Sequence, residues 1–342
     1  MRRQVSPQRP SGSRAGAVPR LTKTLAAVLI AHTALAAANA QSGRPGRKTE
    51  AEPVRRGEYF NSERALEHVK SLVGFGPRPA GSKALALSRR YIEKQLRGVG
   101  LDVSTDEWTA ETPAGKLRMA NVIAELRGET EEAIIVASHY DTKRFKDFAF
   151  VGANDGASST AVLIEIARSL AVSREKRHFT YRFVFFDGEE SVCADWDECG
   201  RPGAPDNTYG SRRYVGRLRA RNQLKNVRAL VLLDMVGYEK LELGRETAST
   251  PWLIDIIWGT ARSLGYGDIF LEREEAVGGD DHEPFLAAGV PAVDIIQLET
   301  YPHWHTRDDT LDKISRRSLR VVGEVVLASL PRVEEKLKGG GL

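Results

Sequence analysis

The sequence predicts an α/β protein: a single doubly wound mixed sheet with helices on both faces and a hairpin at one edge. Three observations carry this. From residue 133 onward, short apolar runs rich in β-branched and aromatic residues alternate with stretches of helical periodicity. Upstream, two strand-like runs flank the turn signal Thr112-Pro-Ala-Gly115. Acids and imidazoles also recur just after the apolar runs, outside the carboxyl ends of strands, where open α/β sheets bind ligands.

Taken in order, residues 62–73 space Leu66, Val69, Leu72 and Val73 as a helix face, stopped by Gly74 and Gly76-Pro77. A second helix is expected over 82–97, ending at Gly98. Strands follow at 101–108 and 120–126, the arms of the hairpin, and at 133–138. A helix at 157–170 leads to a strand that opens at Thr180 and runs into Asp187-Gly-Glu-Glu190. Its Phe183-Val184-Phe185-Phe186 core reads as covered on both faces. A loop rich in Gly, Pro and Asp then precedes a helix at 211–220. A strand at 229–234, a helix at 252–264, a strand at 290–297 and a helix at 315–337 complete the alternation. Residues 338–342 read as a disordered tail.

The 342 residues are 41% hydrophobic and 28% charged, an ordinary globular composition. The net charge of +4 comes from the first forty residues, which hold six basic side chains and no acid. The rest balances 44 basic against 46 acidic residues, which gives no basis for a nucleic-acid partner. Residues 1–40 resemble a signal peptide: a basic start, the apolar run 24–37 and the small-x-small site Ala38-Asn39-Ala40. The alternative is an uncleaved anchor, although His32 interrupts a run already short for a membrane span. Cleavage would leave an exported protein, periplasmic or secreted, with no stable membrane span, a linker at 41–57 and a catalytic domain at 58–337. In such a compartment Cys193 and Cys199 are expected to pair; the alternative is two free thiols.

The candidate site residues sit at the strand ends. His139 and Asp141 follow the strand at 133–138; two apart in an extended chain, they face the same way, so Asp141 could fix the imidazole tautomer. Asp155 precedes a helix among small residues, with an N-cap as its alternative role. Glu189 and Glu190 follow the next strand, and Asp234 ends another. Asp280, Asp281 and His282 precede a Glu-Pro-Phe helix start, and His305 lies beside Trp304. His68 and His178 sit among charges and receive no role. Carboxylate and imidazole donors of this kind suit zinc, with adjacent acids divided between ligand and base.

The ordered series of His139-Tyr-Asp141, Asn154-Asp-Gly156, Asp187-Gly-Glu-Glu190, Asp234-Met-Val-Gly237, Asp280-Asp-His282 and Trp304-His-Thr306 resembles the M28 zinc aminopeptidase superfamily. Within it, the chain looks most like the glutaminyl-peptide cyclotransferases. The resemblance runs from about residue 61 to 337 and implies a zinc aminopeptidase-like fold. It implies one zinc held by Asp155, Glu190 and His305, Glu189 as proton shuttle, Asp234 and Asp280 as a neighbouring acid network, and Trp304 and Trp196 as pocket walls. The implied substrate is a peptide or protein with a free N-terminal Gln, cyclised with loss of ammonia. The alternative is a di-zinc aminopeptidase, in which His139 and Asp234 hold a second zinc and Asp155 bridges. Gly279 departs from the Gln that animal cyclases typically carry there, which implies a missing polar contact.

Overall fold

The computed structural model describes residues 60–173, 175–196, 198–201 and 203–339. The expected signal peptide, the linker and the last three residues of the tail lie outside the described residues. The chain folds as α1 (Ser62–Gly74), α2 (Lys83–Gly98), β1 (Asp102–Thr112), β2 (Gly115–Leu126), β3 (Ala133–His139), α3 (Ala157–Val172), β4 (Thr180–Phe186) and α4 (Tyr209–Ala220). It continues as β5 (Val227–Asp234), β6 (Leu243–Glu246), α5 (Pro251–Ser263), β7 (Phe270–Glu275), α6 (Glu283–Leu286), β8 (Ala292–Ile296) and α7 (Arg316–Lys338). The expected tail therefore starts later than the sequence suggests, because α7 continues through Lys338.

Six strands form one mixed sheet in the order β1-β2-β4-β3-β5-β8. The β1–β2 hairpin and the β2–β4 pair are antiparallel; β4, β3, β5 and β8 run parallel. Thr112 pairs with Gly115 across the expected turn, where Gly115 takes the positive φ of 93° that a tight connection favours. The apolar runs divide by parity, since alternate side chains leave a strand on opposite faces. Ile134, Val136, Phe183, Phe185, Val231 and Leu233 pack beneath α1, α2, α3, α5 and α7. Ile135, Ala137, Val184, Phe186, Leu230 and Leu232 pack against α4 and α6. Full burial of such side chains contributes roughly 1.5–3 kcal/mol each.

Helix starts follow local chemistry. Asn61 accepts a hydrogen bond from the Arg64 amide, and Ser82 from the Leu85 amide, capping α1 and α2. Asp155 does not cap α3: Gly156 stands at that position, with φ 83° and no side-chain cap bond. His68 also departs from its reading, for it is buried and its Nδ1 lies 2.7 Å from the Tyr91 hydroxyl. The small parallel pair β6–β7 was not expected, because Arg245, Glu246, Arg273, Glu274 and Glu275 make it read as polar loop. Among the described residues, no helix is long and apolar enough to cross a membrane.

Candidate metal centre and its pocket

The parallel strands deliver the predicted side chains to one edge of the sheet. His139 ends β3, Asp234 ends β5, and Gly188, at φ 71°, turns the chain after β4 so that Glu189 and Glu190 follow at once. Asp155 stands before α3, and Trp304 and His305 lie on the connection between β8 and α7. Gly156 lets β3 and α3 meet there: a Cβ on it would fall 2.5 Å from the Asp141 carbonyl oxygen. His305 takes φ 54°, a conformation costly for a non-glycine residue.

His305 Nε2 lies 3.4 Å from Asp155 Oδ2 and 3.3 Å from Glu190 Oε2. Tetrahedral coordination with bonds of about 2.0–2.1 Å has ligand–ligand edges of about 3.3–3.4 Å. The donor atoms of Asp155, Glu190 and His305 all lie within 4.8 Å of one another, so this trio fits a zinc ion. His139, Asp155 and Asp234 form a second such group. There, His139 Nε2 is 3.4 Å from Asp155 Oδ1 but only 2.9 Å from Asp234 Oδ1, which is a hydrogen-bond length.

The charge balance also suits a cation. Asp155, Glu189, Glu190, Asp234 and Asp280 are all buried around the two imidazoles. Burial lowers the His305 pKa, but Glu190 and Asp155 outweigh it and raise the ring to about 10. Burial and Asp234 push Asp280 up to about 6. Burial drives Glu189 well above the usual carboxylate range, with Glu190, Asp280 and Asp281 adding to it and His139 opposing. Glu190 moves the other way: against its burial, His305 and Lys143 hold it low. The two adjacent acids are thus electrostatically unlike.

Supporting groups were less visible in the sequence. Asp309 accepts from the amides of Asn154 (2.7 Å) and Asp155 (3.0 Å) and from the Tyr301 hydroxyl (2.7 Å), fixing the backbone that carries Asp155. The Lys143 amide donates to Glu190 (3.0 Å), while its buried ammonium donates to the Ser191 carbonyl (3.0 Å). Phe145 and Phe150 meet the His305 ring edge-on, and the Trp304 indole stacks on it at 4.2 Å. Asp309 lies three residues beyond the Trp304-His-Thr306 motif, but paired acids at a turn read as solvated.

Asp141 corrects its expected role. Its Oδ1 is 3.6 Å from His139 Nδ1, beyond hydrogen-bond reach, whereas its carboxylate accepts from the amides of Glu189 (3.2 Å) and Glu190 (3.4 Å). It orients the acid turn instead of the imidazole. Two acids and two imidazoles in or beside the same motifs stay outside the centre. Asp187 accepts from the Ala120 amide at 2.7 Å, and Asp281 from Ser211. His282 sits between Glu246 and Asp294. His303 packs against Tyr238 and Tyr301.

A cavity of about 230 Å³ opens onto the centre. Asp155, Glu189, Glu190, Asp234 and Asp280 line one side; Trp196, Trp304, Val277, Ile296 and Leu298 line another. Trp304 is 43% exposed, which makes it a rim residue rather than a core one. Cys193 and Cys199 form a disulfide beside this rim tryptophan pair's partner, Trp196. The volume is small against the ~300–1,000 Å³ usual for ligand sites. It suits one amino-acid side chain with a polar end at the acids.

A profile described as peptidase family M28 matches residues 121–330. The chain is similar to glutaminyl-peptide cyclotransferase of Bos taurus, 28% identical over 279 residues that cover 72% of this chain and 75% of the bovine protein. It superposes on a glutaminyl cyclase from an Acidobacteriales bacterium with a TM-score of 0.76 at 33% identity, covering 86% of this chain and all of that one. It also superposes on a leucine aminopeptidase precursor from Bacteroides thetaiotaomicron with a TM-score of 0.72 at 28% identity, covering 79% and 96%. The expected zinc aminopeptidase-like fold is therefore present. Since the matched profile spans well over half of its residues, this chain belongs to peptidase family M28.

Proposed function

We propose that this chain is a zinc-dependent glutaminyl cyclase, which converts the N-terminal glutamine of peptides or proteins to pyroglutamate and releases ammonia. The observation that carries this reading is the small acid-and-tryptophan pocket on a single tetrahedral donor trio, joined to the chain's similarity to glutaminyl-peptide cyclotransferases. Asp155, Glu190 and His305 would hold the zinc. When bound, zinc supplies Lewis acidity toward the γ-carboxamide carbonyl of the substrate.

The chain's own residues supply the rest. The aromatic walls, Trp304 and Trp196, hold the glutamine side chain so that its α-amine lies against the carboxamide carbon, Cδ, which turns ring closure into an intramolecular attack. Glu189, buried and high in pKa, accepts a proton from the α-amine and hands it to the departing nitrogen. Asp234 and Asp280 line the same pocket and keep the α-amine end in acidic surroundings. Asp141 fixes the turn that carries Glu189 and Glu190.

The aminopeptidase alternative draws on the group of His139, Asp155 and Asp234 and on the similarity to the leucine aminopeptidase precursor. The 2.9 Å contact between His139 and Asp234 favours the cyclase, because it is shorter than a tetrahedral edge and matches a hydrogen bond. Metal analysis of the purified chain from Gln41 onward tests this: one zinc per chain in fully active protein is expected. Chelation should abolish turnover and lower Tm while far-UV circular dichroism persists, since crowded buried acids lose their counter-charge. Two zincs per active chain would contradict the single-zinc reading. In keeping with the basic leader, the mature protein is taken to be exported, to the periplasm or beyond.

A further inference from the structure

Trp196 reaches the pocket from a segment without regular secondary structure, in contrast to the strand ends that carry the acids. The Cys193–Cys199 disulfide closes this segment into a short ring with a sequence separation of six. The ring is referenced to the acid turn. Asp206 accepts from the amides of Val192 (3.0 Å) and Cys193 (2.9 Å), and Asn207 donates to the Trp196 carbonyl (3.2 Å). The next two amides, of Thr208 and Tyr209, donate to the carbonyls of Glu189 and Gly188, each at 2.8 Å.

Gly279 seats the indole from the opposite side. A Cβ built on it would fall 2.9 Å from Trp196 Nε1, closer than real side chains approach, and its φ of 145° already disfavours any other residue. No side chain fits at 279 while the indole keeps its place. Thus Gly279, the departure from the resemblance, is also the residue that admits the tryptophan.

We propose that the Cys193–Cys199 disulfide and Gly279 together fix Trp196 as a pocket wall, so that they set substrate affinity without taking part in metal binding. The proposal rests on the cyclase reading for the identity of the substrate. A short covalent ring leaves the indole few alternative positions, so binding does not have to order it. Opening the ring frees the indole; a methyl at 279 displaces it.

The test measures KM and kcat on a peptide beginning with Gln, with zinc content, for Cys193→Ser/Cys199→Ser and for Gly279→Ala. Each should raise KM about five- to tenfold, the scale of one aromatic contact, with kcat within about twofold and zinc retained. In a Trp196→Ala background neither change should raise KM further. Unchanged KM in both variants, or effects that persist without Trp196, would overturn the proposal. A second readout needs no turnover: acrylamide quenching of Trp196 fluorescence, taken as the difference from Trp196→Phe, should increase when the ring is opened. Equal quenching would overturn the proposal too. If the wild type instead trims a Leu peptide, the cyclase reading fails, and the same KM comparison is made on that peptide.

Discussion

Glu189 and Glu190 are neighbours in sequence, yet their surroundings push them apart. Glu190 receives the Lys143 amide and faces His305, which holds its pKa down against burial. Among the described residues, the cationic contact of the Glu189 carboxylate is His139, whose Nδ1 is 3.6 Å away, and burial keeps it high. Two carboxylates separated in this way divide into ligand and proton carrier. Glu189→Gln should therefore retain zinc and lose at least about 100-fold in kcat. Loss of zinc in that variant would mean that the two roles are exchanged. The pair was legible in the Asp187-Gly-Glu-Glu190 motif, Asp234 from its strand end, Asp155 from its place among small residues before a helix, and His305 from its place beside Trp304. Asp141 was misread for a local reason. The same-face rule for residues two apart holds only while a strand continues, and β3 ends at His139. Past that point, the carboxylate turns toward the amides of the next loop.

The helices and the six strands of the main sheet were legible because their apolar spacing matches one period each, 3.6 or 2. The β6–β7 pair was not, since two of its acids, Glu246 and Glu275, are buried with hydrogen bonds that no periodicity announces. Glu275 accepts from the amides of Leu298 and Glu299, and Glu246 from that of Ala248. His68 is the same kind of case within a helix: its neighbours Arg64 and Glu67 look solvated, while the ring itself turns inward from α1 to Tyr91 of α2. Burial, with Arg64 and Arg168 adding to it, lowers its pKa to about 4. The folded state thus binds the proton less readily than the unfolded chain does. The stability from neutral, buried His68 is complete above about pH 6.5 and is lost as pH falls toward about 4. Thermal unfolding of His68→Leu across this window should show a smaller fall in Tm with acid than the wild type; parallel curves would contradict the assignment.

At the scale of the whole molecule, one sheet edge gathers the groups that the chain distributes over 150 residues, from Asp155 to His305. Strand order does this: β4, β3 and β5 are adjacent and parallel, so their carboxyl ends open onto one place. The same arrangement serves peptidase chemistry and cyclisation, and the fold alone does not choose between them. The choice comes from the walls of a 230 Å³ pocket and from the spacing of the donors. The measurement closest to it incubates the zinc-loaded chain from Gln41 onward with two peptides that differ only in beginning with Gln or Leu, and reads the products by mass spectrometry. The expected result is loss of ammonia from the Gln peptide, with the Leu peptide intact. Release of the first residue from the Leu peptide, with no ammonia lost from the Gln peptide, would contradict it and move His139 and Asp234 into the metal coordination.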